Sequence, residues 1–298
     1  NMWFGPGFHS SLSMSNNAPG FKHFFIGSLE QVKIKNFGIN FRYFISERKN
    51  INSKFFQTSI ATSVSFYSKP IITLGFNRVY LSGGIQDIKW TLSDAAKLVF
   101  EPLLGSSKTN LSYTGNNINE PKYWDPWDQI LVGFVDVFFP KDKIHYYLEI
   151  GTDDSRANFT DLLAHWDHAI GYVLGFTKSE LFNNKSIILG VEYSSTKNSA
   201  NTLNSKFYRG DYKMPIFYDR ELYLRSSYQG RRWGAHSGSD ADDFIFLLGY
   251  IDENYSYIST FNYERRGIIS QSFPEAKYEL GFKATTDSGT GAAQIVFS

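Results

Sequence analysis

The densest run of chemistry-bearing residue types in this chain is Tyr228-Gln229-Gly230-Arg231-Arg232-Trp233-Gly234-Ala235-His236-Ser237-Gly238-Ser239-Asp240-Ala241-Asp242-Asp243. A hydrolase would use His236 as base, Ser237 or Ser239 as nucleophile and one aspartate as orienter. Triad members must converge in space, so adjacency in one loop argues neither way, and no Gly-x-Ser-x-Gly elbow is present. Asp240, Asp242 and Asp243 resemble a calcium loop, but the central Gly and closing Glu of an EF-hand are not at the required offsets. The run reads better as a glycine-hinged turn between strands. Its carboxylates, guanidiniums and Trp233 suit a polyhydroxylated ligand, with planar partners for vicinal hydroxyls and an aromatic face for the C–H side of a sugar ring. A salt-bridge network lining a barrel wall fits the same residues equally well.

A second cluster, His165-Trp166-Asp167-His168, would place two imidazoles on one helical face. It lacks the Glu of a zincin motif and spacing supplies no third ligand, so no metal is expected there, and no cofactor is expected anywhere. The loop aromatics Trp124, Trp127 and Trp166 join Trp233, His236, Asp240 and Asp242 as candidate carbohydrate contacts. The third feature is the opening, Met2-Trp3-Phe4-Gly5-Pro6-Gly7-Phe8 followed by Leu12-Ser13-Met14-Ser15-Asn16-Asn17-Ala18-Pro19. Gly-Pro-Gly makes a tight turn and Asn-Asn-Ala-Pro ends a strand, so physically the segment is turn, strand, turn.

The elements that must position these residues are strands. Phe37, Ile39, Phe41, Tyr43 and Ile45 alternate with Gly38, Asn40, Arg42 and Ser46, with Phe44 as the exception. Phe56, Thr58, Ile60, Thr62, Val64 and Phe66 alternate with Gln57, Ser59, Ala61, Ser63 and Ser65; the same rhythm runs through 144–150 and 277–283. Weaker versions near 72–82, 128–139, 168–177, 185–195, 244–251, 255–264 and 289–297 bring the expected total to about a dozen strands. Helix signals are confined to Ser93–Phe100 and Thr160–Ala169, both of which read as loop insertions. The polar stretches Ser106–Asn119 and Ser195–Asn204 read as long loops of one domain spanning 1–298.

Strands of this length with one apolar and one polar face suit a soluble β-sandwich or a transmembrane β-barrel. Two details favour an antiparallel transmembrane barrel with short helices in its loops. The polar faces suit a wet lumen. Aromatics gather near strand ends, at Phe24, Phe25, Phe55, Phe56, Phe66, Tyr67, Phe138, Phe139, Tyr146 and Tyr147, where girdles meet the bilayer interfaces.

Composition narrows the rest. Of 298 residues, 42% are hydrophobic, 17% aromatic and 20% charged, which excludes a disordered chain. The net charge of +1 gives no footprint for nucleic acid, and with no cysteine there is no disulfide, thiolate site or cysteine nucleophile. The longest apolar run, Ile130–Pro140, is too short for a membrane helix and contains Asp136.

The opening resembles the W-G-P-G…L-x-L-S-N-N-A-x-P signature of the Wzi family of capsule assembly proteins, in Trp3, Gly5, Pro6, Gly7, Leu12, Ser13, Ser15, Asn16, Asn17, Ala18 and Pro19. Gly234, Gly238, Asp240, Ala241 and Asp242 resemble the family's G-x-x-x-G-x-D-A-[DN] segment, and Leu74–Arg78, Gly83-Gly84 and 128–136 fall between the two in the expected order. Phe4 separates Trp3 from Gly5, and Ser239 stands where Pro is common. The resemblance implies an outer-membrane barrel of Gram-negative bacteria that holds capsular polysaccharide, with lectin-like and non-enzymatic behaviour. It also implies a helical segment and further strands ahead of the signature. The chain is therefore expected to be a C-terminal portion of a larger barrel, or a shortened relative, completed by upstream sequence or by another chain.

The expected function is thus a non-enzymatic outer-membrane barrel in contact with outer-membrane lipid, binding or organising capsular or surface polysaccharide. A porin, transporter or barrel partner of a secretion or surface-assembly machine shares every barrel feature. A barrel-borne hydrolase using His236 is the third class.

Overall fold

The computed structural model describes residues 3–49, 54–84, 91–99, 127–153, 169–181, 186–197, 217–218, 223–269, 271–286 and 292–297. Trp124, His165, Trp166 and His168 lie outside them. In chain order the described elements are β1 (Phe24–Gly27), β2 (Val32–Ile34), β3 (Phe37–Lys49), β4 (Lys54–Phe66), β5 (Ile71–Gly83), α1 (Leu92–Leu98), β6 (Trp127–Phe139), β7 (Ile144–Asp153), β8 (Ile170–Ser179), β9 (Ile187–Ser195), β10 (Ser227–Tyr228), β11 (Arg231–Arg232), β12 (Ala241–Ile251), β13 (Tyr255–Arg266), β14 (Glu275–Thr286) and β15 (Ala292–Phe297).

One antiparallel meander, β1-β3-β4-β5-β6-β7-β8-β9-β12-β13-β14-β15, carries almost everything, with β2 beside β3 and β10-β11 as a separate hairpin. The alternation of β-branched and aromatic residues with small polar ones is what a pleated, two-faced surface selects. The expected all-β class is present. Closure is not: among the described strands β1 and β15 do not pair with each other, because β1 pairs only with β3 and β15 only with β14.

The two faces of the sheet are inverted relative to a water-soluble protein. Glu149, Glu192, Asp243, Glu264, Gln57, Ser59, Asn77 and Arg48 are buried on the inner face. Residues of the opposite parity face outward, and apolar ones among them are exposed: Leu74 (50%), Ile150 (48%), Leu174 (55%) and Leu248 (43%). A soluble sandwich buries its apolar face and wets its polar one, the reverse of the distribution at these positions.

The two ends of the sheet also differ. At one end the connections are short, at 67–70, 140–143, 180–186 and 252–254; at the other lie the long ones, at 84–126, 154–169 and 196–240, beside shorter ones at 50–53 and 267–274. An outward aromatic band marks the short-turn end, where Phe37 and Phe66 meet at 5.3 Å, Tyr146 and Phe176 at 5.0 Å, and Tyr257 lies between Tyr250, Tyr255 and Phe282. Several aromatics expected in such a band are elsewhere. Phe55 and Tyr147 are buried on the inner face and Phe25 packs against the same interior, because position parity and not nearness to a strand end decides the face.

The interior is packed by chain. Phe4, Leu12 and Met14 from the opening and Phe217, Tyr218, Tyr223, Trp233 and Ala235 from the long β9–β12 connection fill it, against Phe44, Val79, Leu81, Ile130 and Val173 of the wall. Phe44 breaks the β3 alternation for this reason, its ring lying 6.0 Å from Phe4. Each fully buried side chain of this size contributes roughly 1.5–3 kcal/mol. On the outer face near the long connections, α1 covers Tyr43, Ile45, Tyr80 and Trp127 through Ala95 and Val99. Helix α1 matches the expected 93–100 segment, but its cap is Thr91, which exchanges hydrogen bonds with Asp94.

Glycine lets large rings lie flat on the inner wall. A Cβ at Gly175 would meet the Tyr147 ring at 2.0 Å. Gly175→Ala is expected to displace Tyr147 and lower stability by about 1–3 kcal/mol, measured as a lowered unfolding midpoint in detergent; an unchanged midpoint would refute this packing.

Candidate functional site

The opening segment crosses the inner face as backbone without a sheet partner, apart from one bridge between Phe4 and Met14. Two carboxylates of the wall satisfy it. Glu192 on β9 accepts from the backbone N–H of Phe8 at 2.8 Å, His9 at 3.2 Å and Ser10 at 2.6 Å, and from the Tyr147 hydroxyl at 2.5 Å. Glu149 on β7 accepts from the Leu12 N–H at 2.5 Å and the Ser11 hydroxyl at 3.2 Å. Gly5 must be glycine: its φ is +134°, and a Cβ would lie 2.1 Å from Glu149 Oε2.

The second motif segment meets the first from the other side. Ser15 N–H donates to the Trp233 carbonyl at 2.5 Å, the Ser15 hydroxyl to the Gly234 carbonyl at 2.6 Å, and Asn17 Nδ2 to the Arg232 carbonyl at 2.9 Å. The Tyr218 hydroxyl donates to the Leu12 carbonyl and accepts from the Ala235 N–H at 3.0 Å. A Cβ on Gly234 would lie 2.5 Å from the Leu12 carbonyl oxygen. Gly238, with φ +87°, turns the chain back toward β12.

Where the two segments meet lies a cavity of about 390 Å³. Trp3, Asn16 and Asn17 line it from the opening, His9 and His236 from its floor, and Asn262, Lys277 and Glu279 from the wall. Lys277 and Glu279 are paired at 2.6 Å. The Trp3 indole N–H is buried without a hydrogen-bond partner.

On the floor, Asp243 Oδ2 lies 3.1 Å from His9 Nε2 and 3.2 Å from His236 Nε2, with the two rings edge to face at 4.6 Å. Burial disfavours the imidazolium of His9, but its hydrogen bond to Asp243 and the charges of Asp243, Glu192 and Glu264 outweigh this and raise its pKa. Burial lowers the pKa of His236 despite Asp243, with His9 adding to the effect.

The candidate residues separate on this geometry. His236 lines the cavity. Trp233 is 1% exposed and sits in the interior cluster, so it presents no face to a sugar. Asp240 accepts the Ile269 N–H at 2.9 Å and holds the turn after β13. Asp242 is one residue from Asp243, hence on the opposite face, where it forms a two-pronged ion pair with Arg265. The salt-bridge reading of the 228–243 run therefore describes Asp242, and the carboxylate that joins His236 is Asp243. Trp127 is three residues from inward-facing Ile130 and packs on Tyr80 beneath α1, on the outer face. No hydrogen bond joins His236 to Ser237 or Ser239 among the described residues, so no Ser-His pair is assembled.

The model of the family described as "Capsule assembly protein Wzi" matches residues 1–268. The chain belongs to the Wzi family. Both motif segments fall inside the match and on opposite sides of the cavity, with Ser15 and Asn17 bonded directly to Arg232, Trp233 and Gly234. No curated protein gives a significant match to the chain. Among residues that sequence reasoning left structural or unassigned, Trp3, Asn16 and Asn17 line the cavity, as do His9, Lys277 and Glu279.

Glu192→Ala would leave three backbone amides and a phenol without a charged acceptor. At about 1–3 kcal/mol per orphaned group, the loss should exceed about 3 kcal/mol. The opening segment should also become cleavable by protease while the sheet persists. Protection equal to the parent protein would show that the carboxylate does not hold the segment.

Proposed function

We propose that the protein is a bacterial outer-membrane β-barrel that holds capsular or surface polysaccharide at the cell, without turning it over. The cavity between the two motif segments carries this reading. It offers an indole, three amide side chains, two imidazoles and a lysine–glutamate pair, the planar and charged hydrogen-bond partners that vicinal hydroxyls take, within the ~300–1,000 Å³ range of ligand sites.

Three observations support the membrane setting. The apolar face of the sheet is outward, an aromatic band runs along the short-turn end, and the long connections lie at the other end, the arrangement of outer-membrane barrels with extracellular loops. The cavity lies in the half of the sheet nearer the long connections, toward the cell exterior on this reading. A bilayer also demands that the edges β1 and β15 find partners, in this chain or another. Membership of the Wzi family supports a capsule-assembly role.

The packed interior favours holding over conduction. Phe4, Leu12, Met14, Tyr218 and Trp233 occupy the space that a porin leaves to water. Among the described residues no serine hydroxyl is hydrogen-bonded to His236, which favours a binding role over a Ser-His hydrolase.

Deleting the gene should leave polymer synthesis intact and release polymer into the medium. Restoring the parent gene should restore attachment, whereas a Trp3→Ala, Asn17→Ala variant should not, and its purified form should bind the strain's own polymer more than about tenfold more weakly. Unchanged attachment after deletion, or parental affinity in the variant, would refute the proposal.

A further inference from the structure

We propose that His9, His236 and Asp243 form a binding site for a divalent transition-metal cation of the zinc type, with Glu264 positioned to complete its coordination. One ligand atom from each of the three residues lies within 4.8 Å of the others. The two Nε2 atoms stand 3.1 and 3.2 Å from a single carboxylate oxygen. Ligand bonds of about 2.0–2.1 Å in a tetrahedral site set neighbouring donors about 3.3 Å apart. Two edges of the coordination polyhedron are thus already formed, while the separation of the two imidazoles and the approach of Glu264, 4.0 Å from His236 Nε2, remain to be adjusted.

A separate observation points to a cation. Glu264 is 1% exposed in its side chain, and its Oε2, 4.0 Å from His236 Nε2, has no hydrogen-bond partner. Its other oxygen is held by Arg266 Nε. A buried carboxylate oxygen without a donor is costly, and a cation bound between the imidazoles would compensate it directly. Asp243 and Glu264 thus both approach the His236 imidazole, and Arg266 engages Glu264 from the far oxygen only. Asn262 Nδ2 donates to Asp243 Oδ1 and orients the carboxylate, as outer-shell partners do at metal sites.

Two imidazoles beside hard oxygens select zinc-like ions over calcium or magnesium, which take oxygen alone. The ion would tie three separate parts of the chain together: the opening segment through His9, the β11–β12 loop through His236, and the wall through Asp243. The ion would be reached from the cavity, at whose floor the His9 and His236 side chains are 24% and 23% exposed. Sequence spacing could not reveal this, because His9 and His236 stand at opposite ends of the chain.

The test needs no polysaccharide, so its outcome is independent of the function proposed above. Detergent-purified protein, stripped with chelator, is titrated with zinc chloride in buffer without other divalent ions. One zinc per chain is expected, with an absorption-edge spectrum showing imidazole nitrogen and oxygen donors and no sulfur. His236→Gln and His9→Gln should each weaken binding by more than about tenfold, while His145→Gln, which alters a histidine paired with Asp136 elsewhere, should leave it unchanged. Calcium chloride should not compete. Both floor histidines are partly exposed, so retained heat-modifiable gel mobility will confirm that the variants are folded; should one fail to fold, the edge spectrum of the parent protein decides. Absence of stoichiometric zinc, zinc retained by both folded glutamine variants, or a spectrum without imidazole donors would overturn the proposal.

Discussion

Two carboxylates on the wall, Glu149 and Glu192, hold the arrangement together. Each points to the interior and takes up backbone N–H groups of the opening segment, which runs through the fold without a neighbouring strand. A buried backbone must have partners for its donors, and here acidic side chains supply what a β-ladder normally would. With residues 8–12 fixed in this way, Leu12, Met14 and Phe4 reach their apolar contacts, the Leu12 carbonyl receives Tyr218, and Ser15 and Asn17 reach the 232–234 backbone. The cavity and its histidine floor follow, because they exist only where the two segments are held face to face.

The same wall shows why the chain is aromatic-rich yet mildly polar on average. Its hydrophobicity is placed on every second residue and turned outward, while polar side chains face a filled interior. In water such a surface would drive aggregation; against lipid it is the stable arrangement. The interior is packed by the molecule's own chain, and a small cavity remains beside the long connections. On the proposed reading this is a place to grip one segment of a long polymer at the surface, a task that requires neither a channel nor a nucleophile.

Period-two alternation made most of the fold legible in the sequence. Strands β3 to β9 and β12 to β15 coincide with the alternating segments within a few residues, and the family motif was visible in 3–19 and 234–242. The short β1, β2, β10 and β11 carry too few residues to show a period. The site was less legible, for a physical reason. Neighbouring residues on a strand face opposite ways, so Asp242 and Asp243 look equivalent in sequence yet only Asp243 reaches the floor. Trp233 has the right ring in the wrong environment, whereas Trp3 has it at the cavity wall. His9 carried no signal at all, since its partners are distant in sequence and are brought to it by the Glu192 contacts beside it.

The absence of cysteine allows the central claim, that the alternating apolar face meets lipid while the cavity meets water, to be measured directly. Single cysteines at Leu74, Leu174 and Leu248 and at Lys277, spin-labelled in protein reconstituted into bilayers, would report collision with membrane-soluble oxygen and with a water-soluble nickel chelate. A lipid-facing sheet predicts high oxygen and low nickel access at the three leucine positions, and the reverse at Lys277. Nickel access at Leu74, Leu174 and Leu248 equal to that at Lys277 would contradict it.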